Sequence, residues 1–66
     1  MQIVVNGLSR QVSEGLSVAE LVRLLKLEPR RVAVERNKQL VPRARHGQTV
    51  LCEQDRLEIV TLVGGG

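Results

Sequence analysis

The feature that most restricts the possible folds is a single short amphipathic helix beginning at Ser17. Ser17 and Glu20 have the spacing of a capping box, in which each side chain accepts a hydrogen bond from the other residue's backbone amide. Pro29 prevents the helix from continuing far past Leu27, so we expect about nine residues. Its apolar residues recur at helical spacing and form one stripe that a sheet must cover: Val18, Leu21, Val22 and Leu25.

Short apolar segments on both sides of the helix predict the strands of that sheet. Asn6-Gly7 suits a tight hairpin turn because both residues tolerate positive φ. Since one helix can cover only one face, we predict an α+β fold with a mixed sheet. The predicted elements other than the helix are strands at 1–6 and 8–12, short strands at 32–34 and 40–41 around an Asn37-Lys38 turn, a loop at 42–47, an apolar segment at 49–51, a Gln54-Asp55 turn and a last strand at 56–63.

A chain of 66 residues holds one domain with a thin core. We expect that domain at 1–63 and a flexible glycine tail at 64–66. Apolar residues make up 42% and charged residues 26%, a mixture typical of soluble globular domains. The sequence has neither an apolar run of membrane-spanning length nor a signal-peptide pattern, so we expect a cytoplasmic protein without a membrane partner.

The titratable residues do not form the pattern of an enzyme site. His46 is the only histidine and falls in the predicted 42–47 loop, where we expect it to be exposed. Cys52 is the only cysteine, and because free cysteines are often buried we expect it to have a structural role. The carboxylates are not paired for acid-base work, and no phosphate-binding glycine motif is present. We therefore expect no catalytic residue, no metal and no bound cofactor.

Basic residues are concentrated in one stretch whose only acid is Glu35. We expect them to form a solvated surface, because strand alternation scatters such side chains over both faces, although a basic face could attract phosphate or an acidic protein. The sequence contains no aromatic residue on which a nucleic acid could stack, so a nucleic-acid partner is not expected. The stretch comprises Arg30, Arg31, Arg36, Lys38, Arg43 and Arg45.

The most informative feature is the passage from an apolar last strand into Gly64, Gly65 and Gly66. Glycines have no Cβ, so this segment can thread into a narrow channel of another protein. The reacting group would then be the α-carboxylate of Gly66. An ionised carboxylate resists nucleophiles and must first be activated, for example as an acyl-adenylate, so a partner enzyme must supply ATP and catalysis.

Four segments match a known family in order, and they are Met1 to Gly7, Ser17 to Leu21, Asn37 to Arg43 and Val63 to Gly66. In these segments the chain resembles the thiamine-biosynthesis sulfur carrier proteins (ThiS), relatives of the small subunit of molybdopterin synthase. The resemblance implies a ubiquitin-like β-grasp fold and a terminal glycine that an adenylating (activating) enzyme activates. It also implies a sulfur donor enzyme, a thiocarboxylate on Gly66, and a thiazole synthase that receives the sulfur. Gly65 and Gly66 match the family's diglycine, whereas Leu62 stands where many relatives have an aromatic residue.

Strand alternation also predicts a partner interface. Burying Glu58 without a partner would be costly, so we assign Leu57 and Ile59 to the helix-covered face and leave Val60 and Leu62 on the open face. Ile3 and Val5 are assigned to the covered face by the same argument, which leaves Val4 outside. If the first and last strands are neighbours, Val4, Val60 and Leu62 are expected to form one apolar patch near the tail.

Other functions also fit these patterns. The sulfur could be destined for molybdopterin or another thiolated product. A ubiquitin-like protein modifier would use the same tail to form isopeptide bonds. A basic RNA-binding module would use the arginine-rich stretch, but it leaves the glycine tail unexplained.

Overall fold

Between residues 1 and 62, five β-strands form one mixed sheet, and a single α-helix crosses one of its faces. The computed structural model describes residues 1–62, so Val63 and the predicted tail at 64–66 lie outside the described residues. The elements in chain order are β1 (Gln2–Val5), β2 (Leu8–Gln11), α1 (Val18–Leu24), a 3₁₀ turn (Pro29–Arg31), β3 (Val32–Arg36), β4 (Gln39–Val41), a second 3₁₀ turn (Arg43–Arg45) and β5 (Arg56–Thr61).

The strand order in the sheet is β2-β1-β5-β3-β4, which places β5 in the centre. β5 runs parallel to β1 and antiparallel to β3, and the two hairpins β1-β2 and β3-β4 form the outer parts of the sheet. This arrangement confirms the predicted mixed sheet with one helix. It also confirms that the first and last strands are neighbours.

Both hairpin turns use residues in the left-handed region of backbone conformation. Asn6 and Gly7 have φ angles of 49° and 83°, and Asn37 and Lys38 have φ angles of 52° and 70°. Asparagine and glycine tolerate this region well, which is why turns of this kind favour them. The predicted turns are therefore confirmed. β5 is shorter than predicted, because strand pairing ends at Thr61.

The capping box at the start of α1 forms as predicted. The Ser17 hydroxyl accepts from the Glu20 amide at 3.1 Å, and a Glu20 carboxylate oxygen accepts from the Ser17 amide at 2.9 Å. The helix ends at Leu24, earlier than predicted, because Lys26 adopts a φ of 60° and turns the chain out of the helix. Within residues 1–62 no helix has the length and apolar character that a membrane crossing requires.

The core lies between α1 and the helix-facing side of the sheet. Leu57 and Ile59 are buried there while Glu58 is exposed, which confirms the face assignment for β5. Ile3 and Val5 are also buried, as predicted. The other buried apolar residues are Val18, Leu21, Val22, Val32, Val34, Val41 and Leu51.

The segment after β4 packs against the start of α1, and this corrects the prediction for His46. His46 is buried rather than exposed, and its Nε2 donates to the Val41 carbonyl at 3.0 Å. Its own carbonyl accepts from the Ala19 amide, and the Thr49 carbonyl accepts from the Val18 amide, both at 2.9 Å. These carbonyls satisfy amides that the first turn of a helix leaves without partners. His46 is therefore a structural residue that joins β4 to α1.

A buried carboxylate holds the chain in place at the start of β5. Asp55 accepts from the Cys52 amide at 2.8 Å, from Asn37 Nδ2 at 3.1 Å and from Arg36 Nε at 2.8 Å. Burial raises the pKa of the Asp55 carboxyl, but these hydrogen bonds and the Arg36 charge outweigh it and hold the pKa below its usual value. The ionised carboxylate therefore joins the turn before β5 to the β3-β4 turn.

Asp55→Asn is expected to lower the free energy of unfolding at pH 7 by about 2 kcal/mol, because a charged acceptor is lost. Since the folded-state pKa is depressed, the native carboxylate stabilises the fold above its unfolded-state pKa of about 3.9, and this contribution disappears as pH falls through the folded-state pKa. The difference between native protein and variant should therefore shrink below about pH 4.

Urea unfolding at several pH values measures this difference. Glu14→Gln is the matched control, because the Glu14 side chain is exposed and makes no hydrogen bond within residues 1–62. A stability gap that does not change between neutral and strongly acidic pH would show that the Asp55 charge has no role.

Candidate functional site

The sheet face opposite α1 is not covered by any element among residues 1–62. Val60 and Leu62 lie on this open face and are 57% and 44% exposed, which confirms the predicted orientation of both side chains. Val60 lies opposite Ala33 of β3. Val60 is near the end of β5 and Leu62 directly follows that strand, so both residues come shortly before residues 63–66 in the chain. The open face therefore has an apolar area at its tail-proximal end.

The structure separates Val4 from the other two predicted interface residues. Val4 is half-buried and pairs with Arg56, four residues before Val60 on β5. That separation corresponds to about 13 Å along the strand axis, and the exposed Glu58 lies between them. The prediction of one continuous patch from these three residues is therefore wrong. The reason is the register of the parallel pair, which alternation alone does not reveal.

Three arginines come together on the two 3₁₀ turns, near the point at which the described chain ends. The Leu62 amide donates to the Arg31 carbonyl at 2.6 Å, so Arg31 lies directly beside this point. Arg43 Nη2 donates to the Arg30 carbonyl at 3.1 Å, which brings the second 3₁₀ turn against the first. We call Arg30, Arg31 and Arg43 the tail-root arginine cluster. The sequence showed the basic stretch but not this cluster, because residues 30 and 43 meet only through the β3-β4 hairpin.

The rest of the basic stretch is divided among other sites, in agreement with the expected scatter. Arg36 forms an ion pair with Asp55 at 2.8 Å, and this is the only salt bridge between residues of the described part. Lys38 lies in the β3-β4 turn, at the end of the sheet away from Leu62. The stretch is therefore not one continuous basic surface.

A cleft of about 420 Å³ opens on the open face, at the end of the sheet that lies away from Leu62. Glu35 and Glu58 face each other there across β3 and β5, with Lys38 and Arg56 in the same lining. No cluster of three or more potential metal ligands occurs among residues 1–62. The cleft has a mixed charged lining, but its described residues do not assemble a recognisable catalytic or metal-binding arrangement.

Cys52 is exposed, which contradicts the prediction that it is buried. It follows the buried Leu51, but the chain turns at Glu53 and Gln54, and Asp55 holds the Cys52 amide rather than its side chain. Arg36 Nη2 lies 3.4 Å from Cys52 Sγ. Cys52 is the only cysteine of the sequence, and the ring of His46, the only histidine, donates to the Val41 carbonyl.

Comparison with known proteins identifies the family. A model of the ThiS family matches residues 3–66, nearly the whole chain and including the three glycines. The chain belongs to the ThiS family. The crystal structure of the thiamine biosynthesis protein ThiS from Geobacter metallireducens superimposes with a TM-score of 0.86 at 33% identity over the full length of both chains. The fold is therefore the β-grasp of ThiS proteins.

Two other relatives show how ThiS units occur. The sulfur carrier protein ThiS of Bacillus subtilis is 40% identical over 50 residues, which is 76% of each chain. A thiazole synthase of Paramagnetospirillum magneticum is 41% identical over all 66 residues, but these make up only 20% of that protein. The chain thus spans about a fifth of the length of that synthase. A ThiS-like sequence can therefore occur within a longer polypeptide.

Cys52→Ser is expected to change the free energy of unfolding by less than about 0.5 kcal/mol, because the side chain is exposed and no buried hydroxyl is created. Thermal unfolding of native and variant proteins measures the effect. Leu51→Ser, at the buried neighbouring position, is the contrasting control and should cost several kcal/mol, of the order seen when large core side chains are truncated. A comparable loss in Cys52→Ser would place the thiol in the core.

Proposed function

We propose that this chain is a sulfur carrier in thiamine biosynthesis and that the α-carboxylate of Gly66 is the group that carries the sulfur. The main supporting observation is the position of β5. It is hydrogen-bonded to a strand on each side and leads to residues 63–66 past an exposed apolar area. A strand held on both sides fixes the place on the surface at which the chain leaves the sheet. The family match through residue 66 supports the same role.

The chemistry requires enzymes that this chain does not contain. The carboxylate is ionised at neutral pH and is a poor acceptor for a nucleophile. An adenylating enzyme therefore joins it to the AMP part of ATP and releases pyrophosphate. Sulfur delivered at the sulfide level (HS⁻) by a sulfur donor enzyme then attacks the acyl carbon, and AMP leaves with the bonding electron pair to give the thiocarboxylate. The chain is a cosubstrate in both steps and not a catalyst, and it holds no cofactor of its own.

Gly64 and Gly65 would allow the tail to reach the activating site. Without Cβ atoms, they can pass through a channel too narrow for other residues. The loaded carrier would then pass its sulfur to a thiazole synthase. The relative in Paramagnetospirillum magneticum, named a thiazole synthase, contains a matching sequence within its own chain, which supports an association between carrier and synthase.

The direct test is the intact mass of the protein purified from its native cell. A thiocarboxylate replaces one oxygen with sulfur, and fragmentation should place that mass difference on Gly66. A tail found in isopeptide linkage to cellular proteins would instead indicate a protein modifier. Transfer of the sulfur to a molybdopterin precursor rather than to thiazole would change the pathway but not the carrier role.

Removing Gly66, or adding one alanine after it, is expected to abolish ATP-dependent thiocarboxylate formation. The buried apolar residues of the described part all lie between Ile3 and Ile59, so the fold should persist. A synthetic chain with a C-terminal carboxamide is the matched control for length and should be equally inactive. Mass spectrometry after incubation with the activating enzyme measures loading, and normal loading of the extended chain would contradict the proposal.

Leu62→Glu is expected to weaken binding to the activating enzyme by about 1 kcal/mol or more, because it puts a charge into the apolar area formed by Val60 and Leu62. Stability should change by only about 0.5 kcal/mol, since Leu62 is exposed. Leu8→Glu is the control, because Leu8 is also exposed but lies on the edge strand β2. Titration calorimetry measures both affinities. Equal affinities for the two variants would remove Leu62 from the interface.

A further inference from the structure

The three exposed residues of the tail-root arginine cluster lie on the two 3₁₀ turns, next to the point where β5 leads into residues 63–66. Arg31 is fixed there by its carbonyl, which accepts from the Leu62 amide at 2.6 Å, and by its amide, which donates to the Glu28 carbonyl at 2.9 Å. Arg43 reaches the Arg30 carbonyl at 3.1 Å. The cluster is thus positioned by contacts with the backbone, which leave most guanidinium donors available.

The acids of the described chain do not neutralise this cluster. Glu28 is the nearest acid in sequence, and its Oε1 lies 3.5 Å from the Arg30 amide, so it is directed to the backbone of the 3₁₀ turn. None of the three guanidinium groups makes a salt bridge with another residue between Met1 and Leu62. Three exposed cations with one adjacent acid form a local positive field that favours an anionic partner.

The length of the tail decides which anion can be reached. An extended segment spans at most about 3.6 Å per residue, so the four residues after Leu62 would place the Gly66 carboxylate up to about 14 Å from the tail root. A nucleotide at that carboxylate would lie at the far end of the channel. The arginines would instead meet the surface around the entrance of that channel, and this surface is formed by protein residues.

The surroundings of the cluster also favour a protein over a nucleic acid. The exposed apolar side chains of Val60 and Leu62 lie next to it, and the sequence contains no aromatic residue for base stacking. Arginine pairs with carboxylates through two parallel hydrogen bonds, which fixes orientation as well as supplying attraction. An apolar centre with a charged rim is the usual composition of a protein interface.

We propose that the tail-root arginine cluster binds aspartate and glutamate side chains around the entrance of the channel that receives the tail in the adenylating enzyme. This inference rests on the proposed carrier function. The cluster orients the carrier as it approaches, so that the tail faces the channel when Val60 and Leu62 make contact. Its principal effect is on the rate of association, since complementary charges mainly accelerate encounter.

The test compares two double variants with the same net charge. Arg30→Glu/Arg31→Glu reverses the cluster, and Arg10→Glu/Arg23→Glu reverses two exposed arginines on β2 and α1. The described side chains of Arg30 and Arg31 make no hydrogen bond, so the backbone contacts of the 3₁₀ turn should persist. Thermal unfolding verifies that both variants fold.

Stopped-flow association with the purified adenylating enzyme from the same organism is measured over a range of salt concentrations. At low salt we expect the cluster variant to associate about tenfold more slowly than the control variant, with the difference decreasing as salt screens the charges. Arg30→Lys/Arg31→Lys should keep most of the rate because it keeps the charge. At saturating enzyme, single-turnover loading of Gly66 should continue in all variants.

Equal association rates for the two Glu variants would overturn the proposal, because the effect would then reflect net charge alone. Binding of a single-stranded RNA as tightly as the enzyme, with loss of that binding only in the cluster variant, would also overturn it and assign the cluster to nucleic acid. Native protein that the enzyme does not load with ATP would instead refute the carrier function. Native loading with equal variant rates would reject only the role of the cluster.

Discussion

The structure depends on the position of β5 between β1 and β3. Hydrogen bonds to β1 and β3 hold this strand, and its side chains point alternately to the two faces of the sheet. Leu57 and Ile59 enter the core under α1, while Val60 lies on the open face. In a protein this small, a central strand is the most firmly held element, because opening it disrupts two strand pairs at once. The same strand that completes the core therefore also leads to residues 63–66.

Asparagine side chains hydrogen-bond to the backbone of β5, whose regular pairing with β1 covers only two residue pairs. Asn6 Oδ1 accepts from the Ile59 amide at 2.8 Å, and its Nδ2 donates to the Ile59 carbonyl at 3.0 Å, so a side chain extends the pairing beyond β1. On the other side Asn37 Oδ1 accepts from the Arg56 amide at 3.0 Å. Both asparagines also form the hairpin turns. Each turn is thus joined to the central strand, and Asp55 strengthens the second connection.

The open face carries two regions of different chemistry, one at each end of the sheet. Near the tail root, exposed apolar residues lie beside arginines, a combination suited to a protein surface with acidic groups. At the other end Glu35 and Glu58 oppose each other in a cleft with mixed charges. Like charges directly opposite each other on neighbouring strands oppose pairing, so this end is not optimised for stability. The charge distribution gives the face a direction, and β5 runs toward its positive end.

Sequence reasoning worked where local physical chemistry decides the outcome. The capping box, the two asparagine turns and the burial of Leu57 and Ile59 arise from side chains acting on their own backbone or from strand alternation, and all were predicted. The carrier role of Gly66 was also inferred from the sequence, through the glycines and the family resemblance, although residues 63–66 lie outside the described part. Contacts between distant residues were decided by the tertiary structure alone. The register of β1 against β5 separates Val4 from Val60, the Val41 carbonyl draws His46 inside, and the turn at Asp55 leaves Cys52 exposed. The contacts of Arg43 with Arg30 and of Leu62 with Arg31 have the same origin, because sequence spacing carries no information about which backbone groups remain free to pair until the sheet has formed.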